Sequence, residues 1–268
     1  SPTALRVMGN IDNTAATIFN PRVIASTSTQ SAPEEVVVSN GYAYVANRGS
    51  GSFSIFDVSS PSNPILMATS SVGATPRSIA VYGNYVYTVS SVAGLFTVHN
   101  VANPKSPVSV QGFYVGGHLN ANPWKMVVHG GYLYVTASAD AGVYTYSLTD
   151  PANPTQVSYV STGASSRSLF AYGKYLYVTS TITNSLYVLD ISNQASPRLV
   201  STLSSGLTSP TSITASGRYL YVSDSLGIRV VDISDPTTPT LLSSPYVPAA
   251  GKSMNISGRY LFTVSNGK

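Results

Sequence analysis

The chain has no cysteine, a single tryptophan and three histidines. Without cysteine, neither a disulfide framework nor a cysteine metal site can form, and composition leaves no trace of the redox compartment. Charge is also scarce: Asp, Glu, Lys and Arg make up 9% of the residues, against roughly 25% in an ordinary soluble domain. With 43% apolar residues, that scarcity argues against disorder and for a packed core. No apolar run approaches the roughly 18 residues that a membrane-spanning helix requires. The net charge is +4, but the 14 basic residues form no run, which speaks against nucleic acid as a partner. The chain starts at Ser1 without a charged segment leading into an apolar one, so the expectation is a removed signal peptide or a piece of a longer protein. What the chain does have is 19 Tyr, 21 Gly and 17 Pro amid many Ser and Thr. That mixture suits short strands and turns and disfavours helices.

One pattern organises the sequence: an apolar triplet, a glycine, then Tyr-apolar-Tyr. It occurs six times, at Gly41-Tyr42-Ala43-Tyr44, Gly83-Asn84-Tyr85-Val86-Tyr87, Gly131-Tyr132-Leu133-Tyr134, Gly173-Lys174-Tyr175-Leu176-Tyr177, Gly217-Arg218-Tyr219-Leu220-Tyr221 and Gly258-Arg259-Tyr260-Leu261-Phe262. The first tyrosines are 43, 47, 43, 44 and 41 residues apart, a period characteristic of propellers and arrays. Turn residues and alternation divide each unit into four strands. In the second unit they are Arg77 to Tyr82, Tyr85 to Ser90, Leu95 to Val101 and Val108 to Val115. Four antiparallel strands per unit describe a propeller blade.

Joining tail to head gives a sixth interval of 50 residues, so the chain is expected to close as one domain, residues 1–268. The fold class expected is all-β, a six-bladed β-propeller of four-stranded antiparallel blades. The tail from Lys252 to Ser265 offers two strands, and the head offers Ala4 to Met8 and Phe19 to Ala25. The last blade is therefore expected to be closed by N- and C-terminal strands, leaving no free sheet edge. A seventh blade, or an open piece of a longer chain, is the alternative.

The third strand and the loop after it are the most recognisable segments, as in Ser54-Ile55-Phe56-Asp57-Val58-Ser59, Leu186-Tyr187-Val188-Leu189-Asp190-Ile191-Ser192 and Arg229-Val230-Val231-Asp232-Ile233-Ser234-Asp235-Pro236. These segments resemble the LVIVD repeat, a propeller repeat of cell-surface and secreted bacterial and archaeal proteins and of large viruses. The resemblance spans essentially the whole chain and implies an extracellular, cell-surface or virion-surface module. It is nearly silent on activity. Asn100 and Ser147 stand where the repeat has Asp, so that acid is not expected to play a uniform role in any ligand site.

Residues dictated by the fold should recur in every unit, and residues serving a ligand need not. The tyrosine pairs recur and are expected to pack between blades. Asp57, Asp190 and Asp232 precede Ser- and Pro-rich turns and are expected to cap them. Nine positions before the anchor tyrosine stands Pro33, Pro76, Pro123 or Pro210. The next position varies: Glu34, Arg77, Trp124, Arg167, Thr211 and Lys252. On the usual propeller course these residues ring one mouth of the central channel. Their cations, carboxylate and indole suit a small anionic or sugar-like ligand. His118, in an expanded loop just before Trp124, joins them, as do Asn47, Arg48, Asp140 and Asp224 after the second strands.

No histidine pair has metal-ligand spacing, and Glu34 and Glu35, adjacent on a strand, should face opposite ways. The sequence thus points to a non-catalytic structural or adhesion module without a cofactor. It would bind a glycan or protein receptor at the channel mouth, or copies of itself in an assembly. A propeller hydrolase or lactonase with a metal in the channel is the rival reading.

Overall fold

The computed structural model describes residues 5–7, 24–163, 165–242, 253–258 and 260–264. Among them are 23 strands, no α-helix and one 3-10 turn, Val115–Gly117. The first strand is β1 (Leu5–Val7). The chain divides into two compact units.

One unit comprises Val23–Gly163 with the short turn Asn193–Ser196. It contains three four-stranded antiparallel sheets. The first sheet is β2 (Pro33–Ser39), β3 (Tyr42–Asn47), β4 (Ser52–Asp57) and β5 (Ile65–Ser71). The second is β6 (Pro76–Tyr82), β7 (Tyr85–Ser90), β8 (Leu95–Asn100) and β9 (Val108–Tyr114), within a residue of the expected bounds at every end. The third is β10 (Pro123–His129), β11 (Tyr132–Ala137), β12 (Gly142–Ser147) and β13 (Thr155–Ser161).

The other unit carries a fourth sheet, β14 (Ser166–Tyr172), β15 (Tyr175–Ser180), β16 (Ser185–Asp190) and β17 (Arg198–Leu203). Its fifth sheet is β18 (Ser212–Ser216), β19 (Tyr219–Asp224), β20 (Gly227–Asp232) and the short β21 (Thr240–Leu241). The sixth joins β22 (Ser253–Ser257), β23 (Tyr260–Val264) and β1 in the order β1-β23-β22. Head and tail therefore share a sheet: Leu5 lies opposite Val264 and Val7 opposite Phe262. The segment expected as a further strand, Phe19 to Ala25, lies outside the described residues as far as Val23, and Ile24 and Ala25 stand outside any strand.

Two-residue turns close the first hairpin of these sheets. Asn40 and Gly41 both have positive φ, at 50° and 79°, the I′ geometry whose twist matches that of the flanking strands. The aromatic pattern then builds the core. Tyr87 and Tyr134, the second tyrosines of their pairs, are fully buried. Each donates its hydroxyl proton to a carbonyl in a turn beyond its own sheet: Tyr87 to Pro151 at 2.8 Å, and Tyr134 to Gln194 at 3.2 Å. Gln111 Nε2 donates to Ala152 O at 2.8 Å, beside the first of these bonds. Phe96 stacks on Phe113 at 4.6 Å and tilts against Tyr146 at 5.6 Å, carrying aromatic packing from the second sheet to the third. Burial raises the pKa of both Tyr87 and Tyr134 above the ordinary phenol value, so they are neutral donors.

Candidate functional site

In four of the six units the variable position falls where the ladder between first and second strands is broken. Pro33 pairs with Asn47 and Glu35 with Ala46, which leaves Glu34 with no residue opposite. Pro76 pairs with Ser90 and Ser78 with Val89, leaving Arg77 over. Trp124 and Lys125 together face Thr136, and Arg167 stands over between the Ser166 and Ser168 pairs. These are β-bulges, which kink a strand and re-aim side chains. The arithmetic forces them: β2, β6, β10 and β14 have seven residues against six in the strands they pair with. Proline opening the first three strands fits the same geometry, since it has no N–H to give to a ladder.

Within the unit Val23–Gly163 three bulges bring their side chains together. Arg77 Nη1 lies 3.3 Å from Glu34 Oε1, and Arg77 Nε donates to Ser91 Oγ at 2.7 Å. The Arg77 guanidinium carbon sits 3.9 Å above the centre of the Trp124 ring, a cation–π stack that fixes the indole. Glu35 accepts the backbone N–H of Ile79 at 3.0 Å through one oxygen and pairs with Lys125 Nζ through the other. Met126 N donates to Ser78 Oγ at 3.0 Å, so in the first two sheets the residue after the variable position serves an amide of the following sheet. Glu34 and Glu35 thus both reach β6, where strict alternation would have set them on opposite faces. The bulge is the reason. Lys125 was absent from the sequence-based set: the strands expected from the sequence, such as Arg77 to Tyr82 against Tyr85 to Ser90, were equal in length and gave no sign of the extra residue.

The other residues singled out in the sequence have different surroundings. His118 lies in the expanded loop, with Nε2 3.2 Å from Asp140 Oδ2 and Nδ1 3.0 Å from Leu119 O. The same Asp140 oxygen accepts the Tyr144 hydroxyl at 2.9 Å. Gly116, at φ 68°, lets the loop pass this tyrosine, since a Cβ there would come within 2.5 Å of the Tyr144 hydroxyl. Arg48 is half-buried in the turn after β3, its amide bonded to Ala32 O at 2.9 Å. Asn47 is buried against Ser54 Oγ at 3.0 Å. Asp224 belongs to the other unit and is fully buried; it accepts Arg229 Nε at 2.9 Å and the amides of Thr208, Leu226 and Gly227. It holds its own hairpin together and presents nothing to solvent. Arg167 is in that unit too, and burial lowers its pKa from the ordinary arginine value. Lys252 lies outside the described residues.

The repeat acids do cap turns. Ser59 N donates to Asp57 at 2.9 Å, Ser192 N to Asp190 at 2.7 Å and Ser234 N to Asp232 at 2.8 Å. Where Asp is replaced the same bond persists, from Ala102 N to Asn100 at 2.9 Å and from Thr149 N to Ser147 Oγ at 3.3 Å. Hydrogen bonds from the Ser192 hydroxyl and amide hold the Asp190 pKa below its ordinary value. The donor set at the bulges does not fit a hard divalent cation, which wants several carboxylate oxygens on one point. Glu34, Glu35 and Asp224 are each held by Arg77, Lys125 and Arg229, and among the described residues no three His, Asp or Glu cluster closely enough to hold a metal.

Comparison with known proteins concerns the repeat and the fold. The LVIVD repeat matches residues 32–71, 74–114, 163–204 and 209–245, more than half of the chain. The third sheet, with Ser147 and the long loop, is not among the matched segments. No curated protein matches. Among solved structures, a protein of Bacteroides uniformis provisionally named a 6-phosphogluconolactonase aligns with a TM-score of 0.75 at 20% identity, over 88% of this chain and 78% of its own. A periplasmic gluconolactonase of Pseudomonas aeruginosa aligns with a TM-score of 0.67 at 17% identity, over 86% and 73%. A streptogramin B lyase aligns with a TM-score of 0.68 at 13% identity, over 90% and 78%. At such identities the likeness concerns the β-propeller fold alone.

Proposed function

The chain belongs to the LVIVD repeat family, and from that premise we propose that it is a non-catalytic propeller module of an extracellular, cell or virion surface that binds a ligand through its row of bulge residues. In this reading the six sheets close into one six-bladed domain over residues 1–268, with β1 on β23 as the clasp. The supporting observation is the contrast between two classes of position. Repeated residues are consumed by the fold, as Tyr87 and Asp190 are. Four of the residues that vary, Glu34, Arg77, Trp124 and Arg167, are lifted out of the ladder by bulges, and the first three meet there. A fold needs neither that variety nor the single tryptophan at that point. Purified protein on arrays of glycans and surface proteins tests the reading. Binding that is lost in Arg77→Ala and Trp124→Ala, but kept in Lys105→Ala on an exposed turn, supports it; no binding, or binding indifferent to all three, overturns it.

The second reading, a lactone hydrolase, is favoured by the names of two structural neighbours. Turnover of gluconolactone or its 6-phosphate by the pure protein, stimulated by added calcium, would replace the first reading with this one.

A further inference from the structure

If the bulge cluster binds a ligand, as proposed for the protein's function, its charges also constrain the class of that ligand. Four ionised side chains lie together, and each cation already has a carboxylate from another sheet: Arg77 has Glu34 and Lys125 has Glu35. Their charges cancel. An acidic ligand would have to compete with Glu34 for Arg77 or with Glu35 for Lys125, and would meet those carboxylates as like charges. A cationic ligand faces the mirror problem with Arg77 and Lys125.

A hydroxyl escapes both difficulties, because it donates one hydrogen bond and accepts two. It can give its proton to a carboxylate oxygen while receiving one from the paired cation, leaving the ion pair intact. The exposure pattern suits this. Glu34 and Lys125 keep 36% and 35% of their side-chain surface open, while Arg77 and Glu35 keep 16% and 14%. Each ion pair therefore offers one member to solvent, Glu34 in the first and Lys125 in the second, and keeps the other, Arg77 or Glu35, more covered. Beside them the half-buried indole of Trp124 is pinned by the Arg77 guanidinium, so it can pack against the C–H face of a sugar ring without first being ordered.

We propose that the cluster of Glu34, Arg77, Trp124 and Lys125, with the more covered Glu35, is a binding site for a neutral, hydroxyl-rich saccharide that discriminates against sialylated and sulfated forms.

Trp124 is the single tryptophan of the chain, so intrinsic tryptophan fluorescence reads this site and no other. Titration of wild-type protein with neutral oligosaccharides, and with the sialylated or sulfated forms of the same scaffolds, is expected to give a saturable shift with a neutral sugar. The acidic form of that sugar should bind about tenfold more weakly or worse. Glu34→Gln keeps the shape and removes the carboxylate charge facing Arg77, so it should narrow or invert that preference; circular dichroism confirms that the variant is folded. Acidic forms binding wild type as well as neutral ones, or a preference unmoved by Glu34→Gln, overturns the proposal. Array binding without any Trp124 response overturns it while leaving a ligand-binding module standing. Silence in both experiments removes the two together.

Discussion

The buried histidine and the exposed carboxylates of the repeat set two separate pH windows. His99, on β8, is 1% exposed and meets the Phe53 ring edge-on at 5.1 Å. Burial holds its pKa below the ordinary histidine value. The unfolded chain then binds this proton more readily than the folded one, so the stability at stake is complete above the unfolded pKa of about 6.5. It declines as pH falls below that value and levels off beneath the folded pKa. Melting curves of wild type between roughly pH 7.5 and pH 5 are expected to show Tm falling with pH, and His99→Phe to flatten the slope; equal slopes would refute the assignment. The turn acids act lower. Asp190 keeps a depressed pKa because protonation would weaken the bonds it accepts, so its contribution is present above about pH 3.9 and is lost as pH drops through the lower folded value. Asn100 shows that an uncharged oxygen serves at the equivalent position. Asp190→Asn should accordingly retain Tm at neutral pH, while Asp190→Ala, which removes the acceptor, should lower it.

At the level of strands and sheets, the repeat made the elements legible and concealed the bulges. Alternation and turn residues located β6 to β9 within a residue because a two-residue turn joins β6 to β7 and a Pro-rich loop joins β8 to β9. The capping of Asp57 and the packing of Tyr87 followed from position alone. The meeting of Glu35 with Lys125 did not, because it depends on one extra residue in each of two ladders, and perfect period-two alternation hides such an insertion. Neither residue is conspicuous by itself. Asp224 shows the converse error: a lone acid after a second strand looked available, and its arginine partner five residues on had taken it inward. The cross-sheet role of Glu35 is measurable. Glu35→Ala leaves the amide of buried Ile79 without this acceptor, at a cost of about 1–3 kcal/mol. Glu35→Gln retains an oxygen for that amide and gives up only the pairing with the partly exposed Lys125, so its loss should be the smaller. A double-mutant cycle with Lys125→Ala, read by urea denaturation, should show coupling for the alanine variants; additive losses would mean that the two side chains do not cooperate.

For the molecule as a whole, the informative feature is a strand of three residues. β1 covers the edge of β23, and with it in place the sixth sheet runs β1-β23-β22, so residues from both ends of the chain lie in one ladder. Take β1 away and β23 exposes a row of unpaired amides and carbonyls, a template for any extended chain. The low charge of the protein worsens this, since few repulsive groups are available to guard an edge. Deleting the first seven residues should therefore lower Tm and make the protein associate with increasing concentration. A synthetic peptide of residues 1–25 should bind the truncated protein saturably and restore both properties, as strand addition supplies the missing ladder in trans. A scrambled peptide should do neither. Calorimetry and sedimentation on the three mixtures decide the matter: a truncated chain that melts like wild type and stays monomeric would mean that β1 is an ornament on a sheet already stable without it, and that head and tail need not meet for the fold to stand.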